Sequence, residues 1–302
     1  MTYSVEVSFA PANELIISFY TFLCTKAHKR LELGPNWVKN TTEQLSERFA
    51  AELKELEYWS DWGQLQLLVW QCPKKETTTQ FLLWLESLSV GELFERLSPW
   101  ISTFPEDLGV VRDRVSYFLS EWDQQYFQSV SSMIVDPLKT DANEKLQWKA
   151  ARGPVELIEL ATNGLYFEPV DQAHRVLLIP QYHSQPVTLL HCYRGITVCQ
   201  YSSDHLPVIE DNLPSPSLYR LTRSLADKTR LQILHYLKSG PKSYMEIVNH
   251  MQMAKSTIYE HTLNLRSAGL IRGHVLGSSV VSYSLREEAL DWMNDQLKAY
   301  LK

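Results

Sequence analysis

Cysteine is scarce in this sequence: Cys24, Cys72, Cys192 and Cys199 are scattered over 302 residues. Four residues so dispersed cannot form a disulfide framework, and a reducing compartment is the expectation. Long apolar runs are also missing. The stretch LQLLVW at residues 65–70 is interrupted by Gln66 and falls far short of the ~20 residues that span a bilayer. The opening residues, MTYSVEVSFAPANEL, carry no basic stretch and place Glu6 where an export signal would be apolar. Internal repeats and low-complexity segments are absent. So are G-x-S-x-G, H-E-x-x-H, the Walker A loop and G-x-G-x-x-G. These absences predict a cytoplasmic chain with no membrane partner, no cofactor and no enzymatic activity.

What remains is the composition of an ordinary globular protein, 44% hydrophobic and 21% charged, long enough for two domains. The net charge of −6 is unevenly distributed. Residues 217–302 hold 12 Lys/Arg against 7 Asp/Glu, whereas residues 1–216 hold 17 against 28. A basic module behind an acidic body is the electrostatic footprint of a polyanion-binding end.

Tyr3, Val5, Val7 and Phe9 alternate with polar residues and predict a short half-buried strand. Helical spacing follows at Leu15, Ile16, Phe19, Phe22 and Leu23. Thr41 with Gln44 has the form of a capping box opening a second helix, with Leu45, Phe49, Leu53 and Leu56 facing inward. Two helices are expected at 77–88 and 91–101. After Pro105 a long stripe runs through Leu108, Val111, Val115, Phe118, Trp122 and Tyr126. The helix PVELIELA stops at Asn163-Gly164. RVLLIP, PVTLLHCY and ITVCQY then read as short strands, with a hairpin turn at Arg194-Gly195. Pro207, Pro214 and Pro216 mark a linker. The expected fold is mainly α with a small β element (α+β), divided into an acidic body at 1–210 and a C-terminal module at 217–302.

That module carries the chemistry. Asp227 is placed to cap a helix with Leu231, Leu234 and Leu237 on its inner face, ending at Gly240-Pro241. Ser243 and Glu246 form an S-x-x-E capping box for a short second helix. After a turn, a third helix runs from Lys255 to Ala268 with Ile258, Thr262 and Leu265 inward, and Gly269 ends it. Two short helices joined by a tight turn form the helix-turn-helix layout, whose second helix reads base edges in the major groove. Residues 270–276, the turn Gly277-Ser278-Ser279 and residues 280–285 make a hairpin wing with a small polar tip.

LADKTRLQIL, then a short helix, then STIYEHTLNLRSAGLI and a wing resemble the ArsR-type winged-helix regulators over roughly the last 85 residues. NELIISFYTFL, NWV and RVLLIP…CYRG resemble a long N-terminal extension found in a subset of that family. The resemblance implies a dimer on inverted-repeat operator DNA, acting as a repressor until an effector is sensed. The chain departs from the metal-sensing members, because SYMEIVNHM has no Cys-x-Cys. Ala254 also stands where a serine would cap the recognition helix.

The candidate base readers are Lys255, Thr257, Tyr259 and Glu260, with Ser256, Arg272, Ser278 and Ser279 as phosphate contacts. Arg266 and His274 complete the DNA-facing set. His261 either joins it or hydrogen-bonds inside the module, and Arg230 is expected in a structural ion pair. In the last helix Leu290, Met293 and Leu297 form an apolar stripe suited to a homodimer contact. Four histidines and two cysteines fall within residues 173–205, but their spacing matches no metal-ligand pattern. Eight of nine tryptophans lie between Trp37 and Trp148 and read as core, leaving room for an effector pocket among them. The competing reading is an enzymatic or ligand-binding body whose winged helix serves protein contacts.

Overall fold

The computed structural model describes residues 3–25, 28–56, 63–169, 174–203 and 213–302. Readings that rest on His205 and Pro207 lie outside them. The chain begins with strand β1 (Tyr3–Val7) and helices α1 (Pro11–Leu23), α2 (Gly34–Gln44), α3 (Glu47–Glu55), α4 (Gly63–Gln71), α5 (Thr78–Ser87) and α6 (Val90–Leu97). Next come α7 (Leu108–Trp122), α8 (Gln128–Ala151), α9 (Pro154–Ala161), β2 (Leu165–Phe167), β3 (His174–Gln181), β4 (Leu189–Tyr193) and β5 (Ile196–Ser202). The C-terminal part holds α10 (Pro216–Leu225), α11 (Lys228–Leu237), β6 (Lys242–Ser243), α12 (Tyr244–Met251), α13 (Lys255–Ser267), β7 (Ile271–Leu276), β8 (Ser279–Leu285) and α14 (Glu288–Tyr300). The fold is mainly helical with small sheets, as the patterning predicts.

Two compact units emerge, and their boundary differs from the expected division at 210 and 217. One unit, the body, comprises residues 4–147 and 172–207; the other comprises 1–3, 148–171 and 208–302. Residues 148–171 therefore fold with the C-terminal module. The cause is β2, which pairs parallel with β7, Leu165 opposite Gly273 and Phe167 opposite Val275.

In the body, α1 is apolar nearly all round and buries Leu15, Ile16, Ile17 and Phe19, the pattern of a central helix. It packs against α4, α5, α7 and β3. The sheet order is β1-β3-β5-β4, with β3 parallel and β4 antiparallel to β5. The expected turn at Arg194-Gly195 is present and sets Cys192 opposite Thr197. Thr41, in contrast, lies within α2, and the next helix is capped by Ser46, whose hydroxyl accepts from the Phe49 amide. Trp122 is wholly buried, and Trp37, Trp70, Trp84 and Trp100 pack against the same core. The long stripe after Pro105 passes from α7 through a π-helical turn at Asp123–Phe127 into α8.

Among the described residues no helix is long and apolar enough to cross a membrane. No group of three or more His, Cys, Asp or Glu among them is placed to hold a metal ion.

Candidate nucleic-acid interface

The helix-turn-helix is built from local signals. At α11, the Asp227 carboxylate accepts from the Arg230 amide at 2.9 Å. That hydrogen bond, assisted by the Arg230 charge, holds the Asp227 carboxyl below its ordinary range. At α12 the capping box closes in both directions: the Glu246 amide donates to Ser243 Oγ at 3.3 Å, and the Ser243 amide to Glu246 Oε2 at 2.8 Å. Gln252, in the left-handed region at φ 50°, turns the chain. The start of α13 is tied back by the Tyr244 hydroxyl, which donates to the Lys255 carbonyl. As expected, α13 lacks a side-chain cap at Ala254.

Ile258, Thr262 and Leu265 on α13 are buried against Ile233, Leu237 and Ile247. With the inner face so fixed, the 3.6-residue period turns Lys255, Ser256, Tyr259 and Glu260 to the exposed side, and Thr257 is half-buried at its margin. A lysine, two hydroxyls and a carboxylate on the first turns of an exposed helix can donate to and accept from base edges. Ser278 and Ser279 are exposed at the wing tip, where Gly277 supplies the positive φ that the turn demands.

The remaining candidates are held in protein contacts. His261 Nδ1 faces Asp227 Oδ1 at 3.8 Å, so its orientation is inward. Arg266 is buried. Arg272 donates from Nε to Glu159 at 2.6 Å and from Nη2 to Glu288 at 3.0 Å. His274 lies between Glu168 (2.7 Å) and Ser284 (2.8 Å). The reason is β2: as β7's second neighbour, the segment 154–168 sets Glu159 and Glu168 against the wing face expected to be free. A three-residue strand gives almost no sequence signal, and its register partner lies about 100 residues downstream.

Arg230 is structural, as expected, with Nη2 donating to the Arg223 carbonyl at 3.1 Å. On α14, Met293 and Trp292 pack into the module core, while Leu290, Leu297, Tyr300 and Leu301 remain exposed. The neighbouring α10, joined by a Ser217–Gln296 hydrogen bond, adds exposed Tyr219.

Residues 227–272 match the family model described as bacterial regulatory protein, arsR family. Among solved structures, the chain is similar to the homodimeric winged helix-turn-helix DNA-binding domain of a possible ArsR-family transcriptional regulator from Mycobacterium bovis. That match has 26% identity and a TM-score of 0.23, covering 28% of this chain and 78% of that one. A crystal structure of an ArsR family transcriptional regulator is similar at 27% identity with a TM-score of 0.24, covering 28% of this chain and 98% of that one. No curated protein matches the chain.

Proposed function

With an ArsR-type DNA-binding winged helix at its C-terminal end, we propose that the chain is a dimeric transcriptional repressor controlled through its N-terminal body. The observation that carries this reading is the exposed polar start of α13, held outward by a buried Ile258–Thr262–Leu265 face. Lys255, Thr257, Tyr259 and Glu260 are the base readers, and Ser256, Ser278 and Ser279 contact phosphates. One such helix covers too few base pairs to select a site in a genome. Two copies spaced about one helical turn apart solve that problem. The apolar face of α10 and α14, with Tyr219, Leu290, Leu297 and Tyr300 exposed, suits a second copy, since single domains seldom leave such a surface in water. The site of action is the bacterial cytoplasm, and the body senses rather than catalyses.

Lys255→Ala combined with Tyr259→Ala should erode the preference for operator over scrambled duplex by ~1–3 kcal/mol per lost base contact. Fluorescence-anisotropy competition reads this directly. Unchanged preference would remove these residues from base reading. Light scattering should give the mass of a dimer, and affinity should fall steeply with salt as counterions are released. A monomer without salt-dependent affinity for duplex would favour the protein-contact alternative.

A further inference from the structure

The recognition helix is held unevenly along its length. From Ile258 onward α13 is anchored twice over. Ile258, Thr262 and Leu265 are buried in the module core, and the Thr262 side chain hydrogen-bonds the half-buried Tyr283 of β8. The first turn has neither kind of support. Lys255 and Ser256 are exposed and Thr257 is half-buried, so the buried face of α13 begins only at Ile258. Nor does a side chain cap the helix at Ala254, and helix ends without caps fray. Two of the four base readers, Lys255 and Thr257, stand on that turn, and Tyr259 and Glu260 follow directly.

The Tyr244 hydroxyl reaches this turn from α12, donating to the Lys255 carbonyl. Tyr244 is itself well fixed. It is the first residue of α12, inside the closed Ser243–Glu246 capping box, and its ring packs against the module core. The carbonyl it holds is the one that an α-helix bonds to the amide four residues on, here Tyr259. The hydroxyl therefore bears on the peptide group that links two base readers, Lys255 and Tyr259. A hydrogen bond to a base edge needs side chains held to about 0.5 Å, which supporting hydrogen bonds supply. Attraction to phosphates is less exacting, because counterion release follows charge and carries no sequence information.

We propose that Tyr244 is a positioning residue for sequence discrimination: its hydroxyl fixes the first turn of α13 where Lys255 and Tyr259 can read bases, and it acts through the Lys255 backbone rather than by a base contact of its own. This role rests on the reading of α13 as the base-reading helix, which is tested in a separate arm.

The test uses the full chain throughout. The parent selects its preferred duplex from a random-sequence library, and anisotropy titration compares that duplex with a scrambled one for the parent and its variants. Lys255→Ala with Tyr259→Ala tests the reading of α13 and should lose most of the preference. Tyr244→Phe keeps the ring and removes only the hydroxyl. It should lower the preference about fivefold, the worth of one hydrogen bond, and leave affinity for the scrambled duplex and its salt dependence as in the parent. A merely structural residue would weaken both duplexes together. In a Lys255→Ala background Tyr244→Phe should cost less than in the parent, because residues that act together are not additive. In a Ser278→Ala background, at the distant wing tip, it should cost the same. An unchanged preference in Tyr244→Phe, equal losses on both duplexes, or losses of one size in the two backgrounds would overturn the role of Tyr244 alone. A parent without preference, or a Lys255→Ala, Tyr259→Ala variant that keeps it, would remove the base readers and the role of Tyr244 with them.

Discussion

Two aspartates respond to acid in opposite directions, and each makes a prediction. Burial pushes the Asp123 carboxyl up, with the hydrogen bonds from Gln128 and Thr78 opposing it only in part. A carboxyl raised in the folded state contributes most below its unfolded value, ~3.9, and that contribution is lost as pH rises through the folded value. Asp123→Asn should therefore raise the melting temperature at neutral pH, and the advantage should shrink as pH falls toward 4. Equal gains at both pH values would mean that charge burial is not the cause. Asp227 behaves conversely. Its carboxyl is held down by the Arg230 amide, so its contribution is present above the unfolded value and is lost as pH falls through the folded one. Asp227→Ala should cost ~1 kcal/mol of stability at neutral pH, the worth of an N-cap. A pH series of thermal melts reads both. Asp227 was legible in the sequence because a cap acts on amides two or three residues away. Asp123 was not, since nothing in its neighbours signals a π-helical turn or a hydrogen-bond partner on α5.

Among elements, the same contrast separates α11, α12 and α13 from β2. The three helices announce themselves through caps at α11 and α12 and through a Gly stop and an apolar period at α13, all local. The strand does not: Leu165–Phe167 acquires its role only by lying beside β7, and its segment brings Glu159 and Glu168 to Arg272 and His274. Glu159 is the centre of this arrangement, lying 2.6 Å from Arg272 Nε and 3.6 Å from Arg286 Nε. Glu159→Ala should destabilise the unit by about 1–3 kcal/mol, as expected for hydrogen bonds to charged groups. It should also raise affinity for non-specific duplex by removing one of the two carboxylates on the Arg272 guanidinium, which keeps Glu288. Anisotropy titration checks this; lower or unchanged non-specific affinity would show that losing Glu159 does not bring Arg272 to DNA. The end of α13 depends on the same segment. Its last carbonyls are closed by the Gly269 amide to Arg266 and the Leu270 amide to Leu265, a Schellman motif with Gly269 at φ +73°. A Cβ there would stand 2.2 Å from Asn163 Oδ1, the atom that also accepts from Arg286. Gly269→Ala should cost at least ~2 kcal/mol, combining left-handed backbone strain with displacement of Asn163. Chemical denaturation followed by circular dichroism measures it.

For the whole molecule, the acidic body and basic module were readable from charge alone, but the boundary between the units was not, because residues 148–171 belong with a partner far along the chain. A fragment of residues 217–302 would carry the net +5 of the module without α9 and β2. It should bind non-specific duplex more tightly than the intact chain, from the loss of the acidic residues, Glu159 among them. It should also melt at a lower temperature, with the edge of β7 unpaired. Restoring residues 154–169 on a flexible linker should recover the stability and not the charge. If the fragment melts like the intact unit, β2 is dispensable. The placement of β2 has a consequence in time as well. Every residue of the body precedes position 208, whereas β7 begins at Ile271, about 100 residues after Phe167. At roughly 5–20 residues per second on the ribosome, β2 waits on the order of 5–20 s for its partner. Synthesis thus completes the body before the recognition helix exists, and a nascent chain cut short before α13 carries the body and none of the candidate base readers.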